Sequence, residues 1–347
     1  MSKYYKFLTL LFLTAQLAWA ADSPVVEEVK VIEKTFSVNS NANLLIDNKY
    51  GNVTMTTWDK NTVEIRVEIR VDGRNSDAVK ERLNGISVDF NASASQVSAK
   101  TQIAQTRWNN KTNISIHYTV KLPKTNNINI KNQYGNLFLD ELKGSSNIQL
   151  DYGNLSFGKL HNALNNFNLD YVTSAKIDFI KSANINADYS KIEITKGEVI
   201  QLSADYTDAN LGEIKDLIND MDYGNLNVNK IEKVASTADY TNIKIGTLVH
   251  SIVSSGDYGG ILIKKVNKGF DKIIINADYA SLSLGIDATA GYSLTGNFAY
   301  GSLQAPSNLS FSKKIIKNTS SYYEGKVGNG GGKIEINMSY GSAKISN

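Results

Sequence analysis

The sequence predicts an all-β protein: a parallel, right-handed β-helix of coils about 18 residues long, behind an N-terminal β-rich cap that contains one short helix. Three observations carry this expectation. A corner motif recurs at nearly constant spacing, apolar residues alternate with polar ones on both sides of it, and the composition suits strands. Asn, Ser, Thr, Ile, Val and Tyr are abundant, and only three prolines occur, Pro24, Pro123 and Pro306; such a mixture favours strands and turns over helices.

The motif is Asp-Tyr-Gly or a near variant, with its tyrosine at Tyr134, Tyr152, Tyr171, Tyr189, Tyr206, Tyr223, Tyr240, Tyr258, Tyr279, Tyr300 and Tyr340. Successive gaps are 18, 19, 18, 17, 17, 17, 18, 21, 21 and 40 residues, a period that marks a solenoid. An earlier copy, Lys49-Tyr50-Gly51-Asn52-Val53, stands alone upstream. Six, four and two places before the tyrosine the residues are apolar or small, as in Ile200, Leu202 and Ala204 before Tyr206, and Ile334, Ile336 and Met338 before Tyr340. Three and five places after it the pattern resumes, as in Leu155 and Phe157, or Ile192 and Ile194. Period-two alternation is the mark of a strand with one buried face. The step from two before to three after is odd, so the inward parity flips and the chain turns at the tyrosine. Gly and Asn behind it, as in Tyr152-Gly153-Asn154, supply a permissive corner. Each unit is then strand, corner, strand and a looser return. One extra residue after Tyr171 brings Ala175 and Ile177 into the apolar slots and is expected to form a bulge.

Such a unit cannot bury both of its strands alone, but parallel stacking of equivalent strands buries a continuous column. Eleven motifs at the strand separation of about 4.8 Å make a rod roughly 50 Å long. The left-handed hexapeptide β-helix has coils of similar length, yet its six-residue apolar rhythm is missing here. Residues 1–20 read as a leader, with Lys3 and Lys6 before the apolar run Phe7 to Leu13 and Ala18-Trp19-Ala20 at the cleavage site. Residues 21–125 read as the cap, with longer strands and a helix from about Ser76 to Leu83 opened by Asn75-Ser76-Asp77. Residues 126–347 read as the repeat domain. Within it, Pro306 to Lys333 is expected to be one degenerate coil with a protruding loop, and Ser339 to Ile345 an uncapped last coil that offers a docking edge.

The leader places the chain outside the cytoplasm, in the periplasm or on the outer surface of a bacterium. No second apolar run approaches the length of a membrane span. Cysteine is absent, which excludes a disulfide framework, a thiolate metal site and a lipid-carrying cysteine. Without the leader 35 basic residues face 34 acidic ones, a net charge of +1, so electrostatics gives no reason to expect nucleic acid.

A leader, the early Tyr50-Gly51-Asn52-Val53 followed by Trp58-Asp59, and serial Asp-Tyr-Gly-Asn coils together resemble the bacterial putative-adhesin family of toast-rack or head-GIN β-strand-repeat proteins. The likeness covers nearly all of the chain after the leader. It implies a right-handed β-helix-like stack in the cell envelope, and it brings no motif of binding residues with it.

The sharpest chemical feature is a ladder of aspartates before the tyrosines: Asp151, Asp170, Asp188, Asp205, Asp222, Asp239, Asp257 and Asp278. They have two readings. Stacked along one edge they are candidate metal ligands, for calcium with its six to eight oxygens. Otherwise each opens its corner by accepting backbone N–H bonds, which the absence of a Gly-Gly-x-Gly-x-Asp nonapeptide favours. The tyrosines could likewise stabilise the stack or present an aromatic stripe to carbohydrate or a flat surface. His117, His161 and His250 fall at unrelated positions, so no catalytic triad or zinc set converges. The reading that follows is a non-enzymatic envelope scaffold or adhesin-like module that needs no cofactor and contacts a polysaccharide, a surface or an envelope protein. The alternatives are a carbohydrate-active β-helix enzyme, on fold analogy alone, and a periplasmic sensory or regulatory component.

Overall fold

The computed structural model describes residues 25–105 and 112–347; the leader read from residues 1–20 lies outside them. Every corner tyrosine joins a strand that runs into it and one that leaves it, such as Ser146–Asp151 and Asn154–Leu160 around Tyr152. Equivalent strands pair in parallel, with Ile148 between Ile130 and Phe167 in one wall and Leu155 between Leu137 and Ala175 in the other. Identical register puts like residues above like, and the alternating apolar positions fuse into a single core along the rod. All-β parallel solenoid stacking is therefore the architecture of the chain.

From Ser174 to Asp257 the return is not loose. Single strands of 15 or 16 residues carry one coil into the next, as Lys191–Asp205 does. Inward positions along it are Ile192, Ile194, Gly197, Ile200, Leu202 and Ala204; the two steps of three residues bend the strand on either side of Gly197. The bend creates a short third side with its own buried column, in which Leu160, Ile180, Gly197, Ile214, Ile231 and Leu248 follow one another in register. Ile214 of the next coil and Ile200 of the same strand fill the space at Gly197, where a Cβ would meet Ile214 Cδ1 at 3.0 Å and Ile200 Cδ1 at 3.1 Å. The extra residue after Tyr171 is taken up at the corner, since Asn154 pairs with Ser174 and the strand beyond is regular.

Tyr50 does not stand alone in space. Its strands Asn43–Lys49 and Val53–Trp58 form the first coil of the stack and pair in parallel with Asn127–Gln133 and Leu137–Leu142. Outside that coil lie Gln96–Ile103 and Thr112–Pro123, still parallel to it, and then antiparallel strands: Ile86–Ser93 on one wall, Thr62–Gly73 and Val26–Ser37 on the other. The helix Ser76–Asn84 begins where Asn75 Oδ1 accepts the Ala78 N–H at 2.9 Å, and it buries Ala78, Val79 and Arg82. No helix among the described residues is long and apolar enough to cross a membrane.

The C-terminal end corrects two expectations. Residues 306–333 are not a degenerate coil: they hold Ser310–Ile316 and Ser320–Val327, a hairpin added antiparallel to Tyr292–Ala299. The final strands Gly332–Ser339 and Ser342–Ser346 are not an open end either. They slot between the Tyr279 coil and the Tyr300 coil, so Lys272–Asp278 and Tyr292–Ala299 both pair with Gly332–Ser339, while Ser281–Ile286 and Ser302–Gln304 both pair with Ser342–Ser346. The physical reason is burial on two sides: Ile334, Ile336, Met338, Ala343 and Ile345 are all buried, which an outermost coil could not achieve. The strands left outermost at the C-terminal end are charged or very short, with Lys313 and Lys314 in Ser310–Ile316 and the three-residue Ser302–Gln304, features that discourage edge pairing.

Insertion predicts how the end unfolds. Deleting residues 332–347 is expected to abolish hydrogen-exchange protection across residues 292–327 while sparing 146–257, since repeat stacks depend on nearest neighbours. Retained protection across 292–327 would show that the last coil sits outside them.

Candidate functional site

The corner edge is built from one backbone irregularity repeated twelve times. All twelve tyrosines adopt left-handed backbone angles, φ from 50° to 64°. The sequence places this freedom on the following Gly or Asn; the structure places it on the tyrosine. One left-handed residue breaks the alternation, so Ala204 and Thr207 are buried while Asp205 and Tyr206, between them, both face solvent. For a residue with a side chain this conformation costs about 1–2 kcal/mol. Two interactions offset it. Eleven of the twelve tyrosine N–H groups donate to the carbonyl of the residue preceding the next tyrosine in the stack, as Tyr152 does to Asp170 at 3.0 Å and Tyr206 to Asp222 at 3.0 Å, and the last, Tyr300, donates to Thr319 at 2.8 Å. The rings also stack.

Stacking is continuous through Tyr50, Tyr134, Tyr152, Tyr171, Tyr189, Tyr206, Tyr223, Tyr240, Tyr258, Tyr279, Tyr340 and Tyr300, with centroids 4.7–5.5 Å apart and planes within 2–11°. Such pairs contribute about 0.5–1.5 kcal/mol each beyond area burial. Tyr50 is half-buried at the cap, and the other eleven rings point outward, from 45% exposed at Tyr171 to 58% at Tyr300. Because neighbours cover ring faces, the ribbon presents ring edges and hydroxyls. Behind it the corner is closed in two ways. Ser190, Thr207 and Thr241 bring a buried hydroxyl within 2.8–3.2 Å of two backbone carbonyls each. Val172 and Ala280 take the position at two corners and glycine at the other seven; at Gly153 a Cβ would clash with the Gly135 carbonyl oxygen.

All eight candidate aspartates fall in one row beside the tyrosines. Five backbone N–H groups are met by a carboxylate of the coil before: Asp188 accepts from Asp205 at 3.3 Å, Asp222 from Asp239 at 3.4 Å, Asp239 from Asp257 at 2.8 Å, Asp257 from Asp278 at 3.0 Å and Asp278 from Ser339 at 3.0 Å. Asp151 accepts from Gln133 at 3.4 Å. The row is linear, and among the described residues no three His, Cys, Asp or Glu side chains close into a metal-holding group. Like charges in a row have a cost. Burial first, and the neighbouring carboxylates second, push Asp170 and Asp205 above the usual carboxylate range. Tyr152 and Tyr240 are raised in the same way, by desolvation and then by the flanking tyrosines. The histidines stay apart: His117 Nδ1 accepts the Asn52 N–H at 3.1 Å, His161 meets Glu141 at 2.9 Å and His250 lies 3.9 Å from Asp271.

Two concavities flank the tyrosine ribbon, and neither is visible in the sequence. A furrow of about 670 Å³ runs along the departing strands, with Tyr189, Tyr206, Tyr223 and Tyr240 on one side and Lys191, Asp208, Asn225 and Asn242 on the other. That polar wall is tied together where Asn225 donates to Asp208 at 2.8 Å and Asn242 to Asn225 at 3.4 Å. A groove of about 820 Å³ lies across the entering strands at the C-terminal end, under the hairpin. Its residues come from five coils and the hairpin, and their order in space differs from their order in the chain, which is why no sequence spacing reveals it.

Two predictions test the ribbon. Tyr206→Ala loses two stacked contacts, about 1–3 kcal/mol in all, and keeps the strain. Tyr206→Gly loses the same contacts but relieves about 1 kcal/mol of strain. The urea midpoint is therefore expected to fall in the order parent, glycine variant, alanine variant, the reverse of the usual strand preference for Ala over Gly. For Asp170 the raised value means that its stability contribution is full below the unfolded value near 3.8 and is lost as pH rises through the folded value. Asp170→Asn is thus expected to melt above the parent at pH 7 and to converge with it below about pH 4; a difference independent of pH would remove the repulsion from the account.

No family model matches the chain, and no curated protein sequence matches it. Several solved structures do. A putative cell adhesion protein from Clostridium sporogenes aligns over 93% of this chain and 99% of its own at 10% identity, with a TM-score of 0.17. Putative adhesins from Parabacteroides distasonis and Parabacteroides merdae align over 91% and 92% of this chain and 97% of their own, at 9% and 7% identity, with TM-scores of 0.37 and 0.33. At these identities and TM-scores the likeness assigns no function to the chain.

Proposed function

We propose that this chain is an exported, non-enzymatic, adhesin-like scaffold of the bacterial cell envelope, and that it holds an extended polysaccharide along its tyrosine edge. The observation that carries the reading is the translational repeat of that edge. One chemical pattern, a ring edge with a hydroxyl beside a polar side chain, recurs about every 4.8 Å along twelve stacked rings, interrupted only at Gly260 beside Tyr258. A ligand that repeats along its own length can engage many equivalent positions, and weak contacts then add up by effective concentration. A small substrate could use only one of them. The furrow beside Tyr189 to Tyr240 has the length and openness for a chain, and its wall of Lys191, Asp208, Asn225 and Asn242 supplies donors and acceptors for sugar hydroxyls. The stacked ring faces leave edges and hydroxyls to the ligand, so contact there is by hydrogen bonding more than by a ring lying on a sugar face. The leader supports export, and the resemblance to adhesin-labelled repeat proteins supports the envelope as the setting.

The chain from Ala21 onward is expected to be retained on at least one insoluble polysaccharide of a panel of cellulose, chitin and purified bacterial envelope. The fourfold variant K191A/D208A/N225A/N242A is expected to elute about tenfold more readily, because it loses four adjacent contacts of a multivalent set. Free elution of the parent from every member of the panel would overturn the reading.

A further inference from the structure

The groove under the C-terminal hairpin is a second site of different construction. Strand register threads a single lateral row through it: Thr237 beside Ser255, Ser255 beside Asn276, Asn276 beside Asn337, Asn337 beside Asn297 and Asn297 beside Tyr322. The row is uncharged throughout. Towards the middle of the rod the same row carries Asp220, then Ser203 and Asn186, so the neutral run ends where the groove ends. The three amides are chained: Asn297 Nδ2 donates to Asn337 Oδ1 at 2.8 Å, and Asn337 Nδ2 donates to Asn276 Oδ1 at 2.8 Å. These bonds set the orientation of each amide and leave every one of them further donor and acceptor capacity for a ligand. At the hairpin end Ile315, 40% exposed, stands across from Tyr322, whose hydroxyl donates to Glu324 at 2.9 Å. One wall of the groove is therefore apolar and aromatic, and its floor is a lattice of amides and hydroxyls.

We propose that this groove is a binding site for a short pyranose oligosaccharide that carries no acidic groups. A pyranose ring has two C–H faces and a rim of hydroxyls, so it needs an apolar surface beside planar groups able to donate and accept in pairs. Ile315 with Tyr322 provides the first, and the amide chain provides the second. The volume of about 820 Å³ is in the range of small-molecule sites, about 300–1,000 Å³. Charge selects against acidic sugars: Asp239, Asp257 and Asp278 border the groove against the ammonium of Lys317, and the second ammonium at the wall, Lys313, 5.3 Å from the Tyr322 ring centroid, is paired across the hairpin with Glu324. Each of these carboxylates already accepts one backbone N–H and keeps an oxygen for a hydroxyl. A peptide added as a strand is disfavoured, because the floor strands are paired on both sides and have no free edge. The site rests on strands that share one register, which holds its groups in place without a closing loop.

The class of ligand rests on the glycan-binding reading above, and the test separates the two. Calorimetric titration of the chain from Ala21 onward uses cellohexaose, mannohexaose, xylohexaose, chitohexaose and hexagalacturonate. At least one neutral hexasaccharide is expected to bind, and hexagalacturonate is not. Asn276→Ala and Asn297→Ala, both at exposed positions, are each expected to raise the Kd at least tenfold with an unchanged melting temperature, and Asn337→Ala provides a third readout in the inserted coil. Asp278→Asn is expected to narrow the difference between neutral and acidic sugars. The groove assignment is overturned if no neutral hexasaccharide binds, if the folded Asn276 and Asn297 variants bind as the parent does, or if the acidic sugar is preferred. The groove variants keep the tyrosine edge and K191A/D208A/N225A/N242A keeps the groove, so retention of the groove variants on insoluble polysaccharide reads the edge, hexasaccharide titration of the fourfold variant reads the groove, and failure at one site is read independently of failure at the other.

Discussion

Parallel, in-register pairing between coils is the constraint on which everything else depends. Once the N–H groups of one coil meet the carbonyls of the next at a spacing of about 4.8 Å, every coil must turn at the same place and in the same way. The tyrosine corner is the solution repeated along the rod: a left-handed residue at each tyrosine, closed by its N–H bond to the next coil. That conformation is costly for any residue but glycine. It persists because each ring between Tyr50 and Tyr300 is held between two others and those two end rings against one, so the strain of one corner is offset by contacts that exist only when the neighbouring corners share it. The corner and the stack are thus stable together and not separately.

The same constraint places identical side chains on top of one another, and their chemistry decides whether this helps. Amides gain, since one side chain both donates and accepts; Asn184 to Asn166 and Asn186 to Asn168, both at 3.1 Å, repeat what Asn297 and Asn337 do. Aromatic rings gain by stacking. Carboxylates lose, and Asp170 and Asp205 show the loss in their raised titration. Aspartate survives in the row because its short side chain reaches the backbone N–H of the next coil, a bond that Glu is too long and Ala unable to make in the same place. A structural reason for the ladder is therefore at hand in the corner itself.

Repetition also separates the two surfaces proposed to bind glycans. The tyrosine edge offers the same contact at every coil and suits a ligand with many equivalent units. The C-terminal groove depends on what breaks the repeat: Ser339 ends the aspartate row, the hairpin Ser310–Ile316 and Ser320–Val327 adds an apolar wall, and the inserted coil brings Asn337 between Asn276 and Asn297. A site with one position and one composition can distinguish ligands, whereas a repeated edge can mainly accumulate affinity.

Much of this molecule was legible in its residues because the solenoid signal is local. The spacing of Tyr134 to Tyr340, the alternation around each tyrosine and the parity flip at the corner lie within a few residues of one another, so strands, corners, inward faces and the Asp row follow from the sequence. The helix after Asn75 was legible for the same reason. What tertiary structure alone decided is the order of coils and the direction of rings. Ile334 to Ile345 has the pattern of any coil, and only burial on both sides places it inside the Tyr300 coil. Pairing over tens of residues also decides that Tyr50 is the first coil, that Gly197 belongs to a third wall, and that Asn276, Asn337 and Asn297 are neighbours. Alternation tells a residue which side of a strand it occupies; it says nothing about which strand lies alongside, because one coil's backbone offers the same hydrogen bonds as the next.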